Sequence, residues 1–193
     1  MDLQHVNVKL IVDGSAPADL EPLIPVFHGW IQDRVCEELL LDVADYRHVP
    51  AGPGVILIGH EANYSVDNTD SRLGVRYNRK APLDGTAQDR LEQAARAAIL
   101  ACQRLESDPR LGGKIRFGGR EWEFFANDRL LTPNQDASRQ ALQPELGTFL
   151  RKLFADKPYS LRYNLDDPRR LFSARVETAD RFTPEELLKN LLS

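Results

Sequence analysis

Val6, Val8, Leu10 and Val12 alternate with Asn7, Lys9 and Ile11, the two-residue period of a strand with one buried face. Leu20, Leu23, Ile24, Phe27 and Ile31 then recur at helical spacing. Pro22 and Pro25 interrupt them, and proline in a helix interior removes a donor and crowds the preceding turn. The pattern therefore predicts a helix starting near Pro25 and ending before Leu39. Leu39–Leu40–Leu41 with Val43, and Val55–Ile56–Leu57–Ile58, read as two strands around a turn over 49–54 that holds two prolines and two glycines. The second run lacks polar alternation, which predicts cover on both faces.

Asn63–Asp67 and Leu73–Tyr77 are further strands across the polar turn 68–71. Thr86 with Asp89 forms a capping-box pattern ahead of Leu91, Ala94, Ala95, Ala98, Cys102 and Leu105, predicting a helix over 87–106. Lys114–Gly118 and Trp122–Ala126 suggest a hairpin around Gly118–Gly119. Thr132–Pro133 opens another helix, with Gln135 at the capping-box position, and Pro144 is expected to kink or restart it. Tyr159–Asn164 and Leu171–Glu177 flank the turn Asp166–Asp167–Pro168. Thr183, Pro184 and Glu186 specify a last helix with Leu187, Leu188, Leu191 and Leu192 on one face. Nine strands and four helices, joined mostly as hairpins, predict a single α+β domain over residues 1–193. Its helices pack on a mainly antiparallel sheet, and the first β-α-β unit supplies one parallel pair.

The chain has 193 residues and a net charge of −4, with a pI near 5.6. That suits one well-buried core and lacks the basic excess of a nucleic-acid binder. Cys36 and Cys102 form no CxxC or zinc spacing, so both are expected free, in a reducing cytosol. The stretch MDLQHVNVKLIVDG has no apolar run of signal length, and no segment reaches a membrane span. A cytoplasmic protein without membrane contact is the expectation.

Candidate chemistry gathers around the 39–67 stretch, where Asp45, His48, His60 and Glu61 flank the two central strands. In a hairpin, Asp45 and His48 lie at one end and His60 at the other, about 15–20 Å away. His60–Glu61–Ala62–Asn63–Tyr64 opens like a zincin helix but ends in Tyr and sits in a strand context. Asp45 and His48 could converge on a divalent ion with His28 added from the helix, but a third ligand cannot be argued, and no metal or cofactor is expected. His28, between Ile24 and Ile31, reads more readily as a satisfied residue at the edge of the core than as a catalyst. Gly52–Pro53–Gly54 precedes a strand, not the helix N-terminus that phosphate cradling needs. Ser15, Ser65 and Ser173 lack a GxSxG setting.

The segments FHGWIQ (27–32), LLLDVADY (39–46) and GPGVILIGHE (52–61) together resemble a family of bacterial proteins of similar length that are uncharacterised. The resemblance spans the first 80 residues, with the whole chain as the wider alternative, and implies bacterial, cytoplasmic origin, with no activity, cofactor or partner attached. The sequence thus points first to a non-catalytic accessory or binding protein, acting through self-association as a homo-oligomer or through a protein partner. The alternative is a small enzyme with acid–base or metal chemistry at Asp45, His48, His60 and Glu61, with His28 contributing.

Overall fold

A computed structural model describes residues 3–14 and 19–192. Ser15, which lacks a GxSxG setting, lies outside the described residues. The strands are β1 (Val6–Ile11), β2 (Leu40–Tyr46), β3 (Gly54–Gly59), β4 (Ala62–Asp67), β5 (Gly74–Arg79), β6 (Glu121–Ala126), β7 (Ser160–Tyr163) and β8 (Phe172–Glu177). The helices are α1 (Leu23–Asp33), α2 (Ala87–Ser107), α3 (Asp136–Leu153) and α4 (Pro184–Leu192). All eight strands form one sheet in the order β2-β3-β4-β5-β1-β6-β8-β7. The fold is α+β, as the alternation of elements predicts.

Every neighbouring pair is antiparallel. The expected parallel pair does not form. After α1 the chain returns at the far edge as β2, and three tight connections bring it back until β5 lies beside β1. The strand expected over 114–118 is also missing. Both edges of β6 are already taken, by β1 and by β8, so that segment has no ladder to join. It is pinned singly instead, with Asp13 N donating to Arg116 O (2.7 Å) and Phe182 N to Gly118 O (2.9 Å).

The helices share one face of the sheet. Val8 lies opposite Tyr77 of β5 and Phe124 of β6. Tyr64 of β4 stands beside Tyr77. On that layer Trp30 of α1 packs edge-on to Tyr64, Gln93 of α2 bonds Tyr77, and Phe149 of α3 packs edge-on to Phe124. Val8, Leu10, Leu57, Trp122, Phe149 and Leu187 are among the side chains with no exposure. Each contributes roughly 1.5–3 kcal/mol by leaving water. Helix α4 packs on α2 and α3. Among the described residues no helix is long and apolar enough to cross a membrane.

Several element ends differ from the sequence pattern. Helix α1 starts at Leu23, with Pro22 as its N-cap. Pro25 is then the third helical residue, where the missing N–H is one of the unpaired donors of the first turn. Helix α3 starts at Asp136 and is capped by Gln135 without a side-chain bond, while Ser138 Oγ donates to Pro133 O (2.6 Å). It continues unbroken through Pro144. The two capping boxes form as expected. Thr86 and Asp89 exchange bonds at α2, and Thr183 with Glu186 does so at α4.

The sheet's other face carries no helix among the described residues. Consequently Ile56 and Ile58 are only half-buried, and β3 is covered on one face. β1, read as one-sided, is nevertheless buried on both sides. Lys9 is 1 % exposed and forms a 2.6 Å ion pair with Asp67. Lys9 lies opposite Arg76, and Asp67 lies opposite Gly74 two strands from β1. Gly74 clears the path, since a Cβ there would sit 3.1 Å from Lys9 Cε and 2.6 Å from Leu10 O. Gly54 is needed for a different reason. It opens β3 at φ +66°, and a Cβ would meet Val66 O at 2.1 Å.

Both sheet edges are guarded. β2 carries an irregularity between Leu40 and Asp42, and the Asp42 carboxylate accepts from Val43 N at 2.8 Å. β7 is only four residues long. Bulges, charge and brevity all discourage strand addition.

Candidate functional site

The five sequence candidates do not meet. Register in the β2–β3 hairpin pairs Asp45 with Val55 and Leu40 with Gly59, so Asp45 and His48 lie at the turn end and His60 and Glu61 at the opposite end. Six residues of strand separate them, roughly 20 Å. Asp45 is engaged by Arg47, whose Nε and Nη2 each donate at 2.9 Å and whose backbone N donates at 3.0 Å. The Arg47 side-chain bonds hold the Asp45 carboxyl down at about 2. His48 stacks on Tyr46 in solvent. His60 Nδ1 lies 3.3 Å from Glu61 Oε1, and Glu61 also accepts from Leu39 N. Glu61's own backbone N–H, with that of Leu39, lowers its carboxyl below the ordinary value. His28 is exposed on α1. Among the described residues no three His, Cys, Asp or Glu side chains could hold one metal ion.

The structure instead gathers a different set of residues. At the end of α1, Arg34 adopts φ +51°, and its N–H and that of Val35 close on Ile31 O and Trp30 O. This left-handed stop turns the chain across the helix-covered face of β4 and β5 and inserts Glu38 there. One Glu38 oxygen accepts from Tyr64 Oη and the other from Tyr77 Oη, both at 2.8 Å. Gln93 of α2 donates to Tyr77 Oη at 2.9 Å. The two tyrosine rings meet edge-on, 5.1 Å apart. Desolvation drives both phenols well above their ordinary range, and the Glu38 charge adds to it. Burial pushes the Cys36 thiol up to about 11, outweighing a hydrogen bond with Tyr64.

Above this network lies a cleft of about 550 Å³. Glu38, Tyr64 and Gln93 line its polar part, and Leu100, Leu188 and Leu192 its apolar part. Arg96 and Arg104 of α2 stand along it. The volume falls within the range of small-ligand and short-segment sites. Burial raises the Cys36 thiol and both phenols toward their protonated forms, and the half-buried Glu38 carboxylate accepts from the two tyrosine hydroxyls.

Compared with family models, curated proteins and solved structures, the chain matches none.

The sequence pattern of histidines and carboxylates does not single out Glu38, Tyr64, Tyr77 or Gln93. One signal was present. Both tyrosines fall within strand runs, and a buried phenol needs a partner. The partner's identity depends on where the 34–39 turn lands, which no local pattern states.

The raised thiol pKa has a direct consequence. At pH 8 a thiol near 11 carries about a hundredfold less thiolate than one at the ordinary 9.0. Native Cys36 is therefore expected to react with iodoacetamide about two orders of magnitude more slowly than after denaturation. The native rate should climb roughly tenfold per pH unit until about 11. A native rate equal to the denatured rate at pH 8 would refute this environment.

Proposed function

We propose that this protein is a non-catalytic binding protein that takes up a segment of a partner protein in the cleft between the 34–39 turn, α2 and α4. The observation carrying this reading is the cleft itself, a rim of leucines with Arg96 and Arg104 beside them over a floor where Glu38, Tyr64, Tyr77 and Gln93 are bonded to one another. A floor of that kind can orient a ligand, but its groups are not poised to exchange protons with one. The separation of Asp45 and His48 from His60 and Glu61 lends further support. So do the guarded sheet edges, which turn association away from strand addition.

The test uses a neutral apolar fluorophore, N-phenyl-1-naphthylamine. Folded protein is expected to bind it at one saturable site with enhanced emission. Leu192 lines the cleft yet is 79 % exposed, so Leu192→Asp should abolish that emission while leaving the thermal midpoint within about 2 °C, as surface changes do. Undiminished binding by the variant would place the apolar site elsewhere and defeat the proposal.

A further inference from the structure

Resting on the cleft as a binding site, we infer that its occupant is an acidic amphipathic helix of a different protein, presenting carboxylate, apolar residue and carboxylate at i, i+4 and i+8. Arg96, Leu100 and Arg104 form a stripe along α2 at four-residue spacing, and all three line the cleft. The two arginines are separated by eight residues, about 12 Å along the axis. That is far for one head group and natural for two acids on one helix face.

Neither guanidinium makes an ion pair or side-chain hydrogen bond among the described residues. Each has an acid four positions away, the usual partner on a helix, and in each case that acid is engaged elsewhere. Glu92, before Arg96, pairs with Lys152 of α3 at 3.0 Å. Asp108, after Arg104, is held by Arg110 Nη2 at 2.6 Å and Nε at 2.9 Å. Of the cleft's other carboxylates, Glu38 is occupied by Tyr64 and Tyr77, and Glu37 is exposed. Among the described residues, two cations without an ion-pair partner thus flank a leucine beside the apolar wall of α4.

A second copy of this chain does not fit that stripe. None of α1, α2, α3 or α4 carries acid, apolar and acid residues at i, i+4 and i+8. No described helix of this chain offers the complementary pattern, and the occupant is accordingly assigned to another protein. Contact between charged patches of opposite sign also makes association fast and salt-sensitive.

Three capped, rhodamine-labelled, alanine-rich helical peptides form the test, carrying Glu–Leu–Glu, Gln–Leu–Gln or Lys–Leu–Lys at those positions. Anisotropy at 20 mM salt should show the Glu peptide binding about tenfold tighter than the Gln peptide, two exposed pairs each giving up to a factor of about five. The Lys peptide should be weakest. Raising salt to 0.5 M should close the gap. Arg96→Gln with Arg104→Gln should remove the preference, whereas Arg162→Gln, exposed on β7, should retain it. Equal affinity of the Glu and Gln peptides would overturn the acidic pattern and leave the cleft standing. Failure of all three peptides, with the naphthylamine still bound, would overturn the helical occupant. Loss of naphthylamine binding as well would bring down the cleft itself.

Discussion

Lys9→Met is expected to cost about 3–5 kcal/mol, the range for removing one member of a buried ion pair. Lys9 and Asp67 side chains are 1 % and 3 % exposed, and their 2.6 Å contact lies on the sheet face that carries no helix among the described residues. Burying two charges is expensive, so the pair itself adds little net stability. The cost of the substitution comes from what remains. Asp67 keeps the backbone N and hydroxyl of Thr69, at 3.0 and 3.1 Å, and Arg76 at 3.8 Å. Those partners leave its charge only partly compensated in a dry site. For a chain of this length the loss corresponds to a fall of roughly 6–20 °C in thermal midpoint. Lys9→Met combined with Asp67→Leu removes both charges and should recover most of the loss. The measurement is a four-way denaturant cycle of wild type, both single variants and the double. A single variant as stable as wild type would show that the pair is not desolvated.

That pair also marks how far the sequence can be read. The alternation of Val6, Val8, Leu10 and Val12 locates β1 and its core face. It cannot say that β1 ends in the middle of the sheet, because that depends on β5 and β6 arriving on either side from 63 and 110 or more residues later. Asn7 and Lys9 look like solvent positions for the same reason. The hairpin of β2 with β3 was legible from the prolines and glycines between them, and with it the separation of Asp45 from His60. The segment 114–118 has strand-like residues, yet pairing is settled by which edges are free, and β8 takes the one it would need. The cleft was the least legible feature. Its floor joins Glu38, Tyr64, Tyr77 and Gln93 through a helix stop at Arg34, whose φ of +51° has no glycine or asparagine to announce it. That Arg96 and Arg104 lack an ion-pair partner among the described residues becomes visible only when Glu92 and Asp108 are seen to be paired elsewhere.

The C-terminal helix gives the other large expected effect. The sequence places Leu187, Leu188, Leu191 and Leu192 on one apolar face, but the fold divides them. Leu187 is fully buried and Leu191 6 % exposed, Leu188 is half-buried, and Leu192 points outward. Leu187 lies close to Gly119, where an added Cβ would come within 3.2 Å of its Cδ1. The helix is also tied by Asn190 Nδ2 donating to Leu153 O at 2.9 Å and by its Thr183–Glu186 cap. Nine residues are too few to hold a helix in water alone, so these contacts are what keep it ordered. Leu187→Ala should cost about 2–5 kcal/mol through lost transfer and a residual cavity. Leu187→Asp should cost more, because a carboxylate there has no partner to offset its desolvation. Against a typical total of about 5–15 kcal/mol, the Asp variant is expected to be largely unfolded or to melt more than about 10 °C lower. Leu192→Asp, on the same helix and equal in charge, should melt as wild type does. Circular dichroism melts of the three variants make the comparison. If Leu187→Ala also melted as wild type does, α4 would contribute nothing to the core, and the cleft it walls would lose one side.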